Sequence, residues 1–348
     1  MTRTDTGRIT QRRIAELAGV SQATVSLVLN GRADASVRIP DETRERVLRV
    51  IEETGYVADP SARRLAGMDN RILGVFTYEP AFPTRSVDFY TPLLNGIEAG
   101  AETLGSDLLL FTSAPVENGR RRLFHEKNRL RLADGVLLLG VEMDAAELAR
   151  LVEGGFRVVA VGRRETPGIP YVGIDYATAA ADLVRRAVEL GHERMLYLHV
   201  DSTGESVVDR RDGVLQGIIG SNATLRTQPT DGSDIDADWA AVVESRATLL
   251  IVESPEVATA IHERARREGV DVPTDLSIIV LGASPRLAPE DVDFTRLDPP
   301  RTELGEHAVL LLARILSDDP PTEGLRSLLD CPIADGATLA APARKEHA

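Results

Sequence analysis

The chain has 348 residues, of which 43% are hydrophobic and 27% are charged, and its net charge is −14. This length suggests two or three globular domains. The single cysteine excludes an internal disulfide and a multi-thiolate metal site, and the sequence has no run of about 18 apolar residues that could cross a membrane. Because the N-terminus also lacks the apolar segment of a signal peptide, we expect a cytoplasmic protein.

The charge is divided unevenly along the chain. Residues 1–68 carry 11 arginines and 9 acidic residues, a net charge of +2. The other 280 residues carry 29 basic and 45 acidic residues, a net charge of −16. A small neutral-to-basic segment thus precedes a large acidic body, so the negative total does not exclude a nucleic acid as the partner of the first segment.

Residues 10–55 have the pattern of three short helices. Gly19 is placed to end the first helix, and Ser21 is a good N-cap for the second. Pro40 precedes the third helix, and Gly55 ends it. Each helix has one apolar face, formed by Ile14, Leu17 and Ala18, by Val25, Val28 and Leu29, and by Val47, Val50 and Ile51.

Two short helices around a glycine-containing turn, with a third helix behind them, make a helix-turn-helix module. In such modules the first residues of the second helix contact base edges in the major groove. Gln22 can bind adenine through two hydrogen bonds, and Ala23 or the methyl group of Thr24 can contact a thymine methyl. Short donors for phosphate oxygens lie along the same helix, at Ser21, Thr24, Ser26 and Asn30. On the helix pattern alone, a plain helical bundle with solvated polar residues is an equally good interpretation.

The same segment resembles a known family. The string IAELAGVSQATVSLVLNG at residues 14–31 resembles the DNA-binding signature of the lactose-repressor (LacI-type) family of bacterial transcription regulators. Residues 59–67, DPSARRLAG, are similar to the hinge helix of that family, which folds when two subunits meet on the operator. The resemblance implies that Leu65, with Ala62 beside it, is wedged into the minor groove, where it permits a bend and further contacts. An ordinary linker leucine is the alternative interpretation of Leu65.

Helix pattern and resemblance together imply one set of DNA contacts. They come from Thr10, Gln11, Ser21, Gln22, Ala23, Thr24, Ser26, Asn30, Ala62 and Leu65.

From residue 72 onward, short apolar runs alternate with amphipathic helices. We expect strands at 72–77, 108–112, 135–140, 158–162, 194–199, 248–252 and 277–282. We expect helices at 91–105, 120–132, 144–153, 177–190, 206–220, 255–268 and 302–317. Apolar strands joined by helices indicate parallel sheets, and about 280 residues suit two lobes with a ligand cleft at the carboxyl ends of the strands.

The predicted fold class is an N-terminal all-α helix-turn-helix DNA-binding domain plus an α/β two-lobe effector domain similar to the periplasmic binding proteins. The expected limits are 1–58 for the helix-turn-helix domain, 59–70 for the hinge helix and linker, and 71–343 for the effector-binding and dimerisation domain. Within that domain, we expect lobe 1 at about 71–163 and 299–319, and lobe 2 at about 164–297 and 320–343.

The resemblance to the effector domain places a ligand between the lobes. It implies that Asp175 and Arg210 face the cleft, where a carboxylate and a guanidinium can hold hydroxyls or an anionic group. Tyr78 and Tyr90 could supply an aromatic wall with a polar tip. The alternatives are that Asp175 caps the next helix and that Arg210 is a solvated helix residue.

Two further positions depart from the pattern of the sugar-binding members. Where those members carry an Asn-Asp pair, this chain has Glu253 and Ser254, and where they carry an aspartate after a later strand, it has Ala283 and Ser284. Glu253 and Ser284 therefore complete the candidate effector contacts. An ordinary hexose is in doubt, which leaves open a modified sugar, a phosphorylated metabolite, another small molecule or no effector.

The sequence therefore predicts a ligand-responsive, sequence-specific repressor that binds a pseudo-palindromic operator as a homodimer, with no cofactor. A two-lobe solute-binding protein and an α/β enzyme are the alternatives. The first would need export, and the sequence shows no nucleophile elbow, Walker loop, dinucleotide fingerprint or metal cluster for the second. The chain is expected not to be an enzyme.

Overall fold

The structure is a computed structural model that describes residues 9–30, 39–56, 70–79, 90–117, 119–126, 128–283 and 292–343. Its contacts divide the chain into two compact units, with the boundary between Asn70 and Arg71. In the described ranges, no helix is long and apolar enough to cross a membrane.

The N-terminal unit contains three helices, α1 Gln11–Ala18, α2 Gln22–Asn30 and α3 Asp41–Thr54. Gly19 and Gly55 end α1 and α3 with φ angles of 63° and 60°, a left-handed conformation that costs glycine little. The Nε of Arg46 on α3 donates to the carbonyl of Ala18 at 2.9 Å, which satisfies a backbone acceptor at the end of α1.

The core of this unit joins all three helices. Its buried members are Ile14, Ala15, Ala18, Val25, Val28 and Val47. The expected apolar face of α1 is wrong at Leu17, which is 48% exposed. Because α1 packs against both α2 and α3, Ala15 lies on the buried side and Leu17 falls outside it.

The second unit alternates strands and helices. Its first half contains β1 Ile72–Thr77, α4 Tyr90–Thr103, β2 Asp107–Phe111, β3 Val116–Glu117, β4 Arg120–Arg121, β5 Gly135–Leu139, α5 Ala145–Glu153, β6 Val158–Val161, β7 Tyr171–Ile174, α6 Tyr176–Glu189 and β8 Arg194–His199. Its second half contains α7 Glu205–Gly217, β9 Thr224–Pro229, α8 Ile235–Ser245, β10 Leu249–Val252, α9 Pro255–Arg267, β11 Ser277–Val280, β12 Thr295–Leu297, α10 Arg301–Leu316, β13 Arg326–Leu329 and β14 Ile333–Ala334.

Twelve of these strands form two six-stranded sheets, one in each lobe, and β3 and β4 pair as a separate hairpin. The lobe 1 sheet is parallel and has the order β13-β7-β6-β5-β1-β2, with α4 and α10 packed together beside it. The lobe 2 sheet has the order β14-β12-β11-β10-β8-β9 and is parallel except for β14. Strands β5, β6, β10 and β11 are buried along their whole length, as expected for apolar strands covered on both faces.

The lobe limits expected from the sequence are wrong at two strands. Tyr171–Ile174 and Arg326–Leu329 were expected in lobe 2, but both belong to the lobe 1 sheet. The reason is backbone pairing, since β7 pairs with β6 and β13 pairs with β7. The chain therefore passes between the lobes at 174–176, 297–301 and 329–333.

The helix expected at 120–132 is also wrong. Arg120–Arg121 forms a short hairpin strand, and Leu130–Leu132 forms a single 3-10 turn. Side chains satisfy the backbone between them, because the carboxylate of Glu147 accepts from the Leu123 N–H at 3.2 Å and Asn128 bonds to the backbone of Leu123 and Leu130. These side-chain bonds replace the helical ladder.

Candidate functional site

The first turn of α2 is exposed to solvent. Gln22 and Ala23 are exposed there, and Thr24 is half-buried. The hydroxyl of Ser21 accepts from the Thr24 N–H at 3.1 Å and lies 2.9 Å from the Thr24 hydroxyl, so Ser21 caps α2 as its sequence position predicts. Two exposed side chains at the first turn of a capped helix are arranged for contact with a groove.

The first residues of α1 and α2 meet. The amide nitrogen of Gln22 donates to the amide oxygen of Gln11 at 3.4 Å. Thr10 caps α1, since its hydroxyl accepts from the Arg13 N–H at 3.3 Å. The candidate base-reading residue is thus held beside a second helix N-terminus, a place suited to a phosphate.

Two other predicted DNA contacts, Ser26 and Asn30, lie further along α2. Ser26 is half-buried within α2, and Asn30 is its last residue. Ala62 and Leu65, which carry the hinge hypothesis, lie outside the described residues.

A cavity of about 110 Å³ lies between the lobes of the second unit. On the lobe 1 side, it is bounded by residues that end or follow β5, β6 and β7 and by α4 and α10, and on the lobe 2 side by α7. The lining residues are Tyr90, Leu93, Gly140, Val141, Val161, Gly162, Arg163, Arg164, Ile174, Tyr176, Ser206, Asp209, Arg210 and Leu304. The carboxyl ends of parallel strands are where two-lobe α/β proteins bind ligands.

Ion pairs join the two lobes at this cavity. Arg163 donates to both carboxylate oxygens of Asp209, with its Nε at 2.8 Å and its Nη2 at 2.6 Å. The Arg164 side chain is only 2% exposed, and its Nη1 donates to Glu205 at 2.9 Å. The hydrogen bonds to Asp209 raise the pKa of Arg163 despite partial burial, whereas burial lowers the pKa of Arg164.

Further out, Glu142 of lobe 1 adds a polar contact across the cleft. Its carboxylate accepts from the Ser202 hydroxyl and from the Thr203 N–H, the latter at 3.0 Å. Arg120, on the β3–β4 hairpin, pairs with the same carboxylate. The lobes are therefore held together by side chains of the chain itself.

Arg210 lies on the cavity wall. Its Nε donates to Glu253 at 3.3 Å, and its guanidinium lies 5.0 Å from the ring centroid of Tyr176. Burial opposes the charged form of Arg210, but Glu253, Tyr176 and Tyr197 together outweigh it and the pKa of Arg210 is raised. Glu253 also accepts from the Tyr197 hydroxyl at 2.9 Å and from the Val200 N–H at 2.6 Å, so it stands behind Arg210 and does not line the cavity.

Tyr90 also lines the cavity, as the sequence predicts. Its hydroxyl donates to Glu79 at 2.7 Å, and burial raises its pKa, followed by the charge of Glu79. Tyr90 therefore presents a neutral ring to the cavity and holds its polar tip against a carboxylate.

Besides Glu253, two more predicted effector contacts do not reach the cavity. Tyr78 is 1% exposed, because its N–H continues the pairing of β1 with Leu139 and its ring packs edge-on against Phe76 in the lobe 1 core. The expected place of Tyr78 in an aromatic wall is therefore wrong. Asp175 caps α6 by accepting from the Thr178 N–H at 3.1 Å, which is the alternative interpretation of its position. Ser284 lies outside the described residues.

Sequence reasoning missed Arg163, Arg164 and Asp209. A signal for the first two was available, since they directly follow the fully buried strand β6 and so stand at the ligand-binding edge of the sheet. Within the described ranges, no group of three or more histidine, cysteine or acidic side chains could hold a metal ion.

Comparison with known proteins agrees with both units. The family model described as "Bacterial regulatory proteins, lacI family" matches residues 11–59, and that described as "Periplasmic binding protein-like domain" matches residues 184–338. Catabolite control protein A of Priestia megaterium is 28% identical over 318 residues, covering 88% of this chain and 92% of that protein. The HTH-type transcriptional repressor CytR of Escherichia coli (strain K12) is 28% identical over 344 residues, covering 96% of this chain and 97% of that protein.

Residues 11–59 thus match a DNA-binding domain of the lacI type, and residues 184–338 match a domain like the periplasmic binding proteins. A solved structure of the Lac repressor dimer bound to operator and the anti-inducer ONPF has the same fold, with a TM-score of 0.76 at 18% identity over 96% of this chain and 100% of that one. The resemblance, the fold class and the role as a DNA-binding transcriptional regulator that the sequence predicts are confirmed.

Proposed function

We propose that this regulator is a homodimeric repressor that binds a pseudo-palindromic operator and whose affinity is set by a small molecule in the cleft between its lobes. The observation that carries the proposal is the exposed pair Gln22 and Ala23 at the capped start of α2 in a compact three-helix unit. The names of similar proteins support it, since CytR is a repressor and the Lac repressor structure contains a dimer, an operator and an anti-inducer.

The proposed DNA interface separates base contacts from phosphate contacts. Gln22 and Ala23 read base edges in the major groove, where a glutamine amide matches adenine and a small apolar side chain matches a thymine methyl. Thr10 and Ser21 lie at helix N-termini, where hydroxyls and backbone N–H groups bind phosphate oxygens. Leu65 would add the minor-groove wedge that the family resemblance implies.

Control by a ligand follows from the two-lobe body. A small molecule that binds one lobe arrangement better than the other shifts the population towards that arrangement, by no more than its difference in affinity. Arg210 on α7 of lobe 2 and Tyr90 on α4 of lobe 1 both line the cavity, so one molecule could contact both lobes. In this role the body is a sensor and performs no reaction, and the protein works in the cytoplasm beside the chromosome.

The test is DNA selection followed by titration with the full chain. Duplexes selected from a random library should converge on a two-fold symmetric site, and that site should bind about 10³-fold or more tightly than a scrambled duplex. Affinity should fall steeply with salt, because arginine–phosphate contacts release counterions from DNA. Equal affinity for the selected and scrambled duplexes would overturn the proposal.

A further inference from the structure

The charges on the cavity wall are unequal. Three arginines line it, Arg163, Arg164 and Arg210, against one acidic residue, Asp209. Two of the arginines are closely paired, since Arg163 holds both oxygens of Asp209 and Arg164 holds Glu205 at 2.9 Å. These pairs engage terminal nitrogens of Arg163 and Arg164, whereas Arg210 is held by Glu253 through its Nε.

Arg210 has donors to spare. A guanidinium carries five N–H donors, and the hydrogen bonds that Arg210 makes within the described part of the chain end at Glu253, through Nε at 3.3 Å. Glu253 already accepts from Tyr197 and from the backbone of Val200. The Arg210 side chain is 16% exposed and lines the cavity, so its terminal nitrogens are available to a ligand there.

A further arginine, Arg301, increases the positive potential near Arg210. Burial lowers the pKa of Arg301, and the charge of Arg210 lowers it further, so the two guanidiniums repel one another. An anion placed against Arg210 would reduce this repulsion as well as fill the open donor positions.

The remainder of the cavity is apolar and small. Leu93, Ile174, Leu304 and the ring of Tyr176 form much of its wall. Its volume of about 110 Å³ is somewhat below the roughly 150 Å³ of a cavity that holds one benzene molecule. A hexose with its hydroxyl groups is larger and would find few acceptors here, because both oxygens of Asp209 are held by Arg163.

We propose that the cavity binds a short-chain organic carboxylate, with its carboxylate on the terminal nitrogens of Arg210 and its hydrocarbon part against Leu93, Ile174 and Leu304. This inference rests on the proposed function, because it names the class of effector for the same cleft. The carboxylate binds lobe 2 and the hydrocarbon part binds lobe 1, so the ligand stabilises the closed arrangement of the lobes.

The test uses sodium butyrate on the full chain, with affinity measured by calorimetry and stability by thermal unfolding. Butyramide is the uncharged control of the same shape, inorganic phosphate is the anion without a hydrocarbon part, and glucose is the hexose. Butyrate should bind and raise the melting temperature, and butyramide and phosphate should each bind at least tenfold more weakly. Equal binding of butyrate and butyramide, tighter binding of phosphate or glucose, or no response to butyrate would each overturn the inference.

A pair of variants assigns the binding to Arg210. Arg210→Met combined with Glu253→Gln removes the cation without leaving an unpaired buried carboxylate, and it should weaken butyrate binding at least tenfold. Arg211→Met changes the neighbouring exposed arginine on the same helix and should leave the affinity unchanged. Equal loss in both variants would overturn the assignment. If the double variant does not fold, the comparison of butyrate with butyramide on the unaltered chain decides alone.

DNA binding by the same preparation separates the two proposals. A selected duplex that is bound tightly while butyrate is not bound overturns the carboxylate inference and leaves the repressor proposal standing. If butyrate binds but the protein shows no preference among duplexes, the repressor proposal is overturned and the assignment of a carboxylate to the cavity stands.

Discussion

Arg163 of lobe 1 and Asp209 of lobe 2 form a two-point ion pair across the cleft, at 2.8 Å and 2.6 Å. The fork of a guanidinium matches the two oxygens of a carboxylate, so this pair fixes the angle between the lobes as well as their distance. Arg164 and Glu205 make a second cross-lobe pair, one residue further along the segment that follows β6 and one turn earlier on α7. Two ion pairs within the chain therefore hold the lobes against each other.

Asp209→Asn should loosen this closure. The neutral amide keeps the size of the side chain but loses the charge, and Arg163 remains partly buried at 23% exposure. We expect the free energy of unfolding to fall by about 1–3 kcal/mol, less than for a fully buried pair. Hydrogen exchange should become faster in the backbone at 162–164 and 204–210.

The matched control is Asp212→Asn, which removes an exposed carboxylate one turn further along the same helix. It should change neither unfolding nor exchange at the cleft, since surface charges contribute little. The same exchange rates in Asp209→Asn and in the unaltered chain would mean that the pair does not hold the lobes together.

Two strands that are apolar throughout could be predicted from the sequence, and two polar edge strands could not. Gly135–Leu139 and Val158–Val161 lie in the middle of a sheet and read as unbroken hydrophobic runs. Thr224–Pro229 is an edge strand of the lobe 2 sheet, Arg326–Leu329 is an edge strand of the lobe 1 sheet, and both are largely exposed. These two segments are strands because their backbones pair with β8 and β7, and such pairing cannot be recognised from the pattern of residues.

The candidate site divides in the same way. Arg210 could be predicted because the family resemblance implies that it faces the cleft, and Tyr90 because an aromatic side chain with a polar tip suits a ligand wall. Tyr78 was misplaced because a tyrosine after a strand can turn either to the cleft or to the core, and only packing against Phe76 decides. The pairing of Arg163 with Asp209 joins residues 46 positions apart, a relationship that needs the folded chain.

The free energy of unfolding should fall as the pH falls below 6.5, in part through His192. Burial lowers the pKa of His192 from its ordinary value of 6.5. Its Nε2 donates to the carbonyl of Ala340 at 2.8 Å, which leaves Nδ1 to accept from the Thr248 hydroxyl at 2.9 Å. The unfolded chain binds a proton near pH 6.5 and the folded chain only at a lower pH, so His192 contributes a slope of up to about 1.4 kcal/mol per pH unit between these values.

His192→Gln should remove this part of the slope in urea unfolding measured from pH 7.5 to pH 5. His262→Gln is the comparison, because burial also lowers the pKa of His262, which packs edge-on against Phe294 but is only half-buried. It should remove a smaller part. An unchanged slope in His192→Gln would show that other groups cause the acid sensitivity.

Gly96→Ala should destabilise lobe 1 strongly. A Cβ at Gly96 on α4 would lie 1.9 Å from the backbone oxygen of Thr302 on α10, and backbone cannot move aside without separating the two helices. We expect a loss of about 3 kcal/mol or more in the free energy of unfolding by urea. Gly100→Ala on the same helix meets the Val309 side chain at 3.0 Å, where a small shift suffices and higher helix propensity offsets the cost. Equal losses in the two variants would contradict the close backbone contact.

Gln22→Ala should relax specificity at one base pair in each half-site. The exposed amide loses its two hydrogen bonds to a base, which costs about 1–3 kcal/mol at that position and little on random DNA. Gln11→Ala removes the amide oxygen that holds Gln22 at 3.4 Å, so it should weaken the same preference by a smaller amount. Gln216→Ala changes an exposed glutamine on α7 and should alter neither affinity nor preference. Binding measured against duplexes that carry every base at each position separates these outcomes. An equal loss in Gln22→Ala on selected and random duplexes would mean that the amide contacts the phosphate backbone and reads no base.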